Sequence, residues 1–141
     1  MKIAIIDGQG GGIGKHITEK VRKELGTKIE IIALGTNSTA TSLMLKAGAN
    51  EGATGENAVV QTVAEVDVIV GSLSILVANS MLGEVTPKMA EAICNSKAKK
   101  ILLPIGKNRV EIVGVQQEPL PHMVDKLVQF LKDLKEAENN V

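Results

Sequence analysis

The stretch KIAIIDGQGGGIG, from Lys2 to Gly14, decides the fold of this chain. It begins with an apolar run at residues 3–6, which is typical of a strand covered by helices on both faces. A glycine-rich segment follows. Apolar residues then recur at every fourth position, as on one face of a helix, at Ile13, Ile17, Val21 and Leu25. A strand, a glycine loop and a helix in this order predict an α/β domain with a mainly parallel sheet.

Strand and helix patterns alternate along the rest of the chain. Further strands are predicted near residues 29–34, 51–53, 68–70 and 101–105, with helices between them. Turn residues at 106–108, followed by alternation over residues 110–115, predict an antiparallel hairpin to a sixth, edge strand. A last helix is expected to face the sheet with Met123, Leu127, Phe130, Leu131 and Leu134. We therefore expect a single Rossmann-like three-layer domain over residues 1–141, with about six strands.

Composition excludes several classes of function. The chain has 141 residues, and its 16 basic and 16 acidic residues cancel, so we expect neither nucleic acid nor a membrane surface as a partner. Phe130 is the sole aromatic residue, which excludes base-stacking platforms and catalysis by tyrosine. With Cys94 as the sole cysteine, an intramolecular disulfide is impossible and a cytoplasmic location is favoured. We see no spacing of metal ligands, and no apolar run of the roughly 20 residues that a membrane helix needs.

The glycine loop is the strongest functional signal. Between a strand and a helix, glycines allow positive φ angles and let a pyrophosphate approach the backbone, while the helix N-terminus attracts the anion. A tight turn without a ligand is the alternative, but a turn needs one or two glycines and this segment has five between positions 8 and 14. The predicted cofactor-binding residues of the loop are Gly8, Gln9, Gly10, Gly11, Gly12, Ile13 and Gly14.

The spacing Gly8-x-x-x-Gly12-Ile13-Gly14 resembles the TGxxxGIG cofactor loop of the short-chain dehydrogenases, with Asp7 where that family usually has threonine. The resemblance covers the first strand, the loop and the first helix. It implies that NAD(P) or another nucleotide is the cofactor. It does not extend to catalysis, because that family works through a Tyr-x-x-x-Lys pair and this chain has no tyrosine.

Asp7 has two interpretations. A carboxylate about 4–5 Å from a pyrophosphate would repel it by roughly 1 kcal/mol or more. Asp7 therefore either accepts hydrogen bonds from N–H groups of the loop and holds the turn, or binds a phosphate-bound Mg²⁺.

Two further segments complete the predicted site. The second strand ends without the acidic residue that usually binds the ribose diol of NAD. Thr36, Asn37 and Ser38 instead offer groups for the 2′-phosphate of NADP, although an ordinary helix cap at Ser38 or Thr39 explains them equally well. Gly71 and Ser72 follow the fourth strand, at the carboxyl end of a central strand, where doubly wound sheets bind their ligands.

The apolar run over residues 73–82 follows directly. Three interpretations are open: a lid over the ligand, a dimer surface or a short buried helix. The dimer surface predicts that the protein is a homodimer. Residues 67–73, 90–93 and 97–100 resemble a segment of the phospholactate transferase and gluconeogenesis-factor group, which implies a nucleotide site.

Four motifs are spread along the chain and carry a resemblance over nearly its full length: the DGQGGGIG loop, the GTNS turn, the VTPKMAEAI helix start and the KKILLPI strand. In these the chain resembles a family of small bacterial Rossmann-like proteins of unknown function, which implies the fold and a cytoplasmic bacterial protein. From the residues we predict a small nucleotide- or dinucleotide-binding protein. A small oxidoreductase or nucleotide-linked transferase is the first alternative, and a structural or assembly protein with an unused glycine loop is the second.

Overall fold

A computed structural model of the chain describes residues 1–106 and 109–139. The described residues form five strands: β1 (Lys2–Asp7), β2 (Glu30–Gly35), β3 (Glu51–Thr54), β4 (Val68–Ser72) and β5 (Lys99–Leu103). They form five α-helices: α1 (Gly12–Leu25), α2 (Ser38–Lys46), α3 (Glu56–Thr62), α4 (Pro87–Asn95) and α5 (Leu120–Asn139). Short 3₁₀ turns cover Gly26–Lys28 and Leu73–Leu76.

The five strands form one all-parallel sheet in the order β3-β2-β1-β4-β5. The chain runs outward from β1 to β3 and then returns to the other side of β1, so the direction of winding reverses between β1 and β4. Ile5 pairs with Val70. Asp7 and Ser72, two residues further along each strand, therefore lie at neighbouring positions where the two strands end. In parallel sheets this reversal opens a crevice at the carboxyl ends of the strands.

Helices cover both faces of the sheet, which explains why the strands are apolar throughout rather than alternating. On one face, Ile3 and Ile5 belong to a buried cluster that includes side chains of α1, α2 and α5. On the other face, Ala4 and Ile6 belong to a second cluster with side chains of α3 and α4. The predicted α/β class with a parallel sheet is confirmed.

The predicted sixth strand and its antiparallel hairpin are wrong. Residues 110–115 contain no strand. The chain turns instead, with Gly114 at a φ of 88° and the N–H of Val115 donating to the carbonyl of Ile112 at 3.4 Å. Val113 is 98% exposed, and Val110, Ile112 and Val115 are 46%, 41% and 47% exposed, so the alternating apolar residues do not form the buried face of a strand. Lys107 and Asn108 of the predicted turn lie outside the described residues.

Two details of the helices also differ from expectation. The N-cap of α2 is Asn37 rather than Ser38 or Thr39, because its side chain accepts a hydrogen bond from the N–H of Ala40 at 2.9 Å.

Phe130 of α5 is 60% exposed instead of facing the sheet. It follows Val128 by two residues, about 200° around the helix. The buried face of α5 consists of Met123, Val124, Leu127, Val128 and Leu131.

In the described parts of the chain, none of the helices has the length and hydrophobicity that crossing a lipid bilayer requires.

The orientation of α5 can be tested with neighbouring substitutions. Leu131 is fully buried, so Leu131→Ala removes packed atoms and leaves a cavity, and we expect it to lower the free energy of unfolding by about 2–5 kcal/mol. Phe130→Ala is the matched control and should cost less than about 1 kcal/mol, because most of that side chain is exposed. Urea unfolding of both variants measures the difference. A larger loss in Phe130→Ala would show that α5 is rotated.

Candidate functional site

The loop between β1 and α1 is a tight turn that needs glycine at position 11. The N–H of Gly11 donates to the carbonyl of Gly8 at 2.9 Å, and Gly11 has a φ of 77°. A Cβ at Gly11 would lie 2.8 Å from Cα of Ala40 in α2, so any larger residue would push the loop away from that helix. Glycine at this position therefore serves the turn and its packing, with or without a ligand.

The first turn of α1 presents free N–H groups to its surroundings. Gly12 and Ile13 occupy its first two positions, where N–H groups have no acceptor within the helix. The next two groups are used, since Gly14 donates to Asp7 and Lys15 donates to the carbonyl of Gly11 at 3.0 Å. The first turn of α1 contains no acidic residue. An anion at this position would meet two N–H groups and the positive end of a 14-residue helix.

Asp7 holds the loop, as the first of its two interpretations predicted. Its side chain is 4% exposed, and Oδ2 accepts the hydrogen bond from the N–H of Gly14 at 2.6 Å. Burial raises the pKa of Asp7 above its ordinary value of 3.8, and the charge of Glu84 acts in the same direction. Hydrogen bonds from the N–H groups of Gly14 and Gly8 oppose that rise. Within the described residues, no group of three or more His, Cys, Asp or Glu side chains is placed to hold a metal ion.

A cavity of about 400 Å³ lies at the carboxyl ends of β1 and β4, where the direction of winding reverses. The loop from residue 7 to residue 13 forms one side of it. The remaining lining residues are Ser72, Ser74, Met81, Leu82 and Gly106. The structure therefore brings Ser72 together with six of the seven predicted loop residues around one cavity, at the position that the strand order marks for a ligand.

Ser72 contributes a hydroxyl group to this cavity. The residue is 2% exposed and lies beside Asp7 at the end of the neighbouring strand. Its Oγ takes part in none of the hydrogen bonds between described residues, and none of the side-chain oxygens in that part of the chain is both fully buried and unpaired, so this oxygen reaches the cavity surface. The hydroxyl group can therefore contact a molecule in the cavity.

The other predicted site residues do not line this cavity. The side chains of Thr36 and Asn37 donate hydrogen bonds to Glu84. Ser38 belongs to a separate shallow pocket on the outer side of α2. Gly71 is buried within β4, where a Cβ would lie 2.8 Å from the carbonyl oxygen of Ile6. The side-chain donors of Thr36 and Asn37 therefore bind Glu84 in this structure.

Glu84 is the residue that the sequence analysis missed. Its Oε1 accepts hydrogen bonds from the N–H of Gln9 at 2.8 Å, the hydroxyl group of Thr36 at 2.6 Å and the amide of Asn37 at 2.8 Å. The Thr36 hydroxyl group, the Gln9 N–H group and the Asn37 amide together hold the pKa of Glu84 below its usual value of 4.5. These partners lie 47 to 75 residues away in the sequence, so no local pattern identifies the contact.

The apolar run over residues 73–82 is divided between core and surface. Leu73–Leu76 forms a 3₁₀ turn whose Ile75 is fully buried, which agrees with the short buried helix among the three alternatives. Leu82 is 96% exposed. Both Met81 and Leu82 have a positive φ, 56° and 55° respectively. The run is therefore not a continuous apolar surface, and the homodimer stays a prediction.

A family model described as a domain of unknown function (DUF3842) matches residues 2–136 of the chain. No curated protein and no solved structure matches the chain.

The burial of Asp7 makes the stability of the fold depend on pH. Because the pKa of Asp7 is raised, the folded chain binds this proton more tightly than the unfolded chain does. The protonated carboxyl group of Asp7 therefore contributes its full stabilisation of the fold below pH 3.8. This contribution is lost as the pH rises through the raised pKa. Asp7→Asn keeps an oxygen for the N–H of Gly14 but does not titrate. We expect the melting temperature of Asp7→Asn minus that of the unsubstituted protein to increase between pH 4 and pH 7. A constant difference would contradict this account.

Proposed function

We propose that this chain, which belongs to the DUF3842 family, is a small nucleotide-binding protein with a Rossmann-like fold that holds the phosphate of its ligand at the start of α1. The observation that carries the proposal is the cavity at the reversal of the strand order. The glycine loop lines it from the end of β1, and Ser72 lines it from the end of β4. Ligands of open α/β sheets bind at this position.

The phosphate would be bound mainly by backbone groups. Gly12 and Ile13 offer N–H groups at the positive end of α1, and Gly12 leaves room for a close approach, since a Cβ there would meet no atom within 4 Å. The hydroxyl group of Ser72 supplies a further donor from the opposite side of the cavity. Burial raises the pKa of Asp7, so its carboxyl group takes up a proton more readily than an exposed carboxyl group would when a phosphate lies nearby.

The size and the walls of the cavity suit a small organic phosphate. Sites for small molecules commonly measure about 300–1,000 Å³, and this cavity of about 400 Å³ lies in the lower part of that range. Ile13, Met81 and Leu82 supply apolar contacts for a base or ring. A nucleotide is therefore the class of ligand that we propose.

We favour a binding or sensing role over catalysis. Asp7 is the one titratable side chain among the described residues that line the cavity, and its Oδ2 already binds Gly14. A small oxidoreductase or nucleotide-linked transferase would have to use this carboxyl group or the hydroxyl group of Ser72. A structural or assembly protein with an unused glycine loop would bind none of AMP, NMN, NAD⁺ and NADP⁺.

Gly12→Val tests the phosphate site. The added side chain fits the fold without a clash, because the space around Gly12 is open, but it fills the space that the phosphate needs. We expect the melting temperature to change little. We expect the affinity for the best ligand among AMP, NMN, NAD⁺ and NADP⁺ to fall at least about a hundredfold, or about 2.7 kcal/mol, in calorimetric titration. Undiminished affinity would place the phosphate elsewhere.

Ser72→Ala tests the second donor. Losing one hydrogen bond to a charged group costs about 1.5–3 kcal/mol, so we expect affinity for the same ligand to fall about tenfold or more. Ser38→Ala is the matched control, since Ser38 lies outside this cavity and its loss should leave the affinity unchanged. Equal affinities in both variants and the unsubstituted protein would exclude Ser72 from the site.

A further inference from the structure

We infer that the site takes a phosphate monoester with one nucleoside-sized group and excludes a dinucleotide, because Glu84 and Met81 fill the space that the second half of a dinucleotide would need. This inference rests on the proposed function and narrows its ligand class. We call the filled space the β1–β2 corner. It lies at the carboxyl ends of β1 and β2 and is bounded by Gly8, Thr36 and Glu84.

A dinucleotide spans the crevice of a doubly wound sheet and places one ribose against the end of the second strand. In this chain Thr36 and Asn37 stand at that end, after β2. Both donate to Oε1 of Glu84, and the amide of Asn37 also donates to the carbonyl of Gln9 at 2.9 Å. The polar groups that a ribose would need at the β1–β2 corner are therefore bound to one another.

The space above the first glycine of the loop is also occupied. A Cβ at Gly8 would lie 2.7 Å from Sδ of Met81 and 3.0 Å from Oε1 of Glu84. The side chains of Met81 and Glu84 therefore occupy the space next to Gly8, and no room for a ligand is left there. The cavity reaches Gly8 but is not lined by Thr36 or Glu84, and its lining continues to Ser72, Ser74 and Gly106 at the β4–β5 side of the sheet.

The charge of Glu84 also disfavours a dinucleotide, above all one that carries a 2′-phosphate. The hydrogen bonds to Glu84 hold the pKa of its carboxyl group low, so the group is ionised at neutral pH. A negative charge at the β1–β2 corner repels a 2′-phosphate. The site therefore disfavours NADP more than NAD, the reverse of the preference suggested by the sequence after the second strand.

The segment that carries Met81 and Glu84 is fixed at both ends. Ile75 and Val85 are 0% and 1% exposed in the same buried cluster. The N–H of Asn79 donates to the carbonyl of Val85 at 2.7 Å, and the hydroxyl group of Ser80 donates to the carbonyl of Ser74. Opening the β1–β2 corner would break these contacts as well as the three hydrogen bonds of Glu84.

Calorimetric titration with AMP, NMN, NAD⁺ and NADP⁺ tests the inference, because AMP and NMN are the two phosphate monoesters that together make up NAD⁺. We expect the tighter of the two monoesters to bind at least about tenfold more tightly than NAD⁺, and NADP⁺ to bind no better than NAD⁺. Equal or tighter binding of NAD⁺ would overturn the inference and leave the proposed function standing. If none of the four compounds binds, the proposed function fails and the inference fails with it.

Variants that open the β1–β2 corner give the second arm of the test. In Met81→Ala, which leaves the hydrogen bonds of Glu84 in place, and in Glu84→Ala, we expect the affinity for NAD⁺ to rise at least about threefold while the affinity for the monoester does not rise. Val113→Ala is the control, since Val113 is 98% exposed and does not line the cavity, so its loss should leave both affinities unchanged. If Glu84→Ala is poorly folded, Met81→Ala decides. Weaker NAD⁺ binding in folded Glu84→Ala, with monoester binding unchanged, would show that Glu84 binds a ribose. An unchanged preference in Met81→Ala would also contradict the inference.

Discussion

The hydrogen bond from the N–H of Gly14 to the carboxyl group of Asp7 is the contact on which the site depends. It joins the end of the central strand to the first turn of α1. The bond is buried, and the distance from the Gly14 nitrogen to Oδ2 of Asp7 is 2.6 Å. A buried carboxyl group is unfavourable unless it is hydrogen-bonded, and this bond offsets part of that penalty. A Cβ at Gly14 would lie 2.8 Å from Cβ of Asp7, so the contact also requires glycine. It fixes the start of α1 against β1 and leaves the N–H groups of Gly12 and Ile13 uncommitted.

The strand order gives this contact its functional setting. Because β1 lies at the centre of the sheet with β2 on one side and β4 on the other, the loops that follow these strands meet above one edge. On the β4 side they leave a cavity that Ser72 lines. On the β2 side Glu84 ties together Gln9, Thr36 and Asn37. The same glycine loop therefore has an open side and a closed side, and this asymmetry is the basis for assigning a small phosphate monoester to it.

Features set by neighbouring residues could be predicted from the sequence. The apolar run before the glycines predicts β1, and Thr86 followed by Pro87 predicts the start of α4, where the Thr86 side chain accepts from the N–H of Met89 at 3.1 Å. Contacts between distant segments could not be predicted. Glu84 meets its partners only after the sheet has formed. Residues 110–115 alternate like a strand, but the turn at Gly114 ends the pattern. Phe130 is apolar, yet packing buries Val128 and Leu131 instead.

Amide NMR of the isotopically labelled chain, titrated with AMP and with NMN, tests the central claim most directly, because it reports on each N–H group separately. If the start of α1 holds the phosphate, the amide signals of Gly12 and Ile13 shift most, and that of Gly14 shifts less because its N–H is already bound to Asp7. The signals of Thr36 and Asn37 stay in place. Shifts concentrated at residues 36–38, with Gly12 and Ile13 unchanged, would contradict the account.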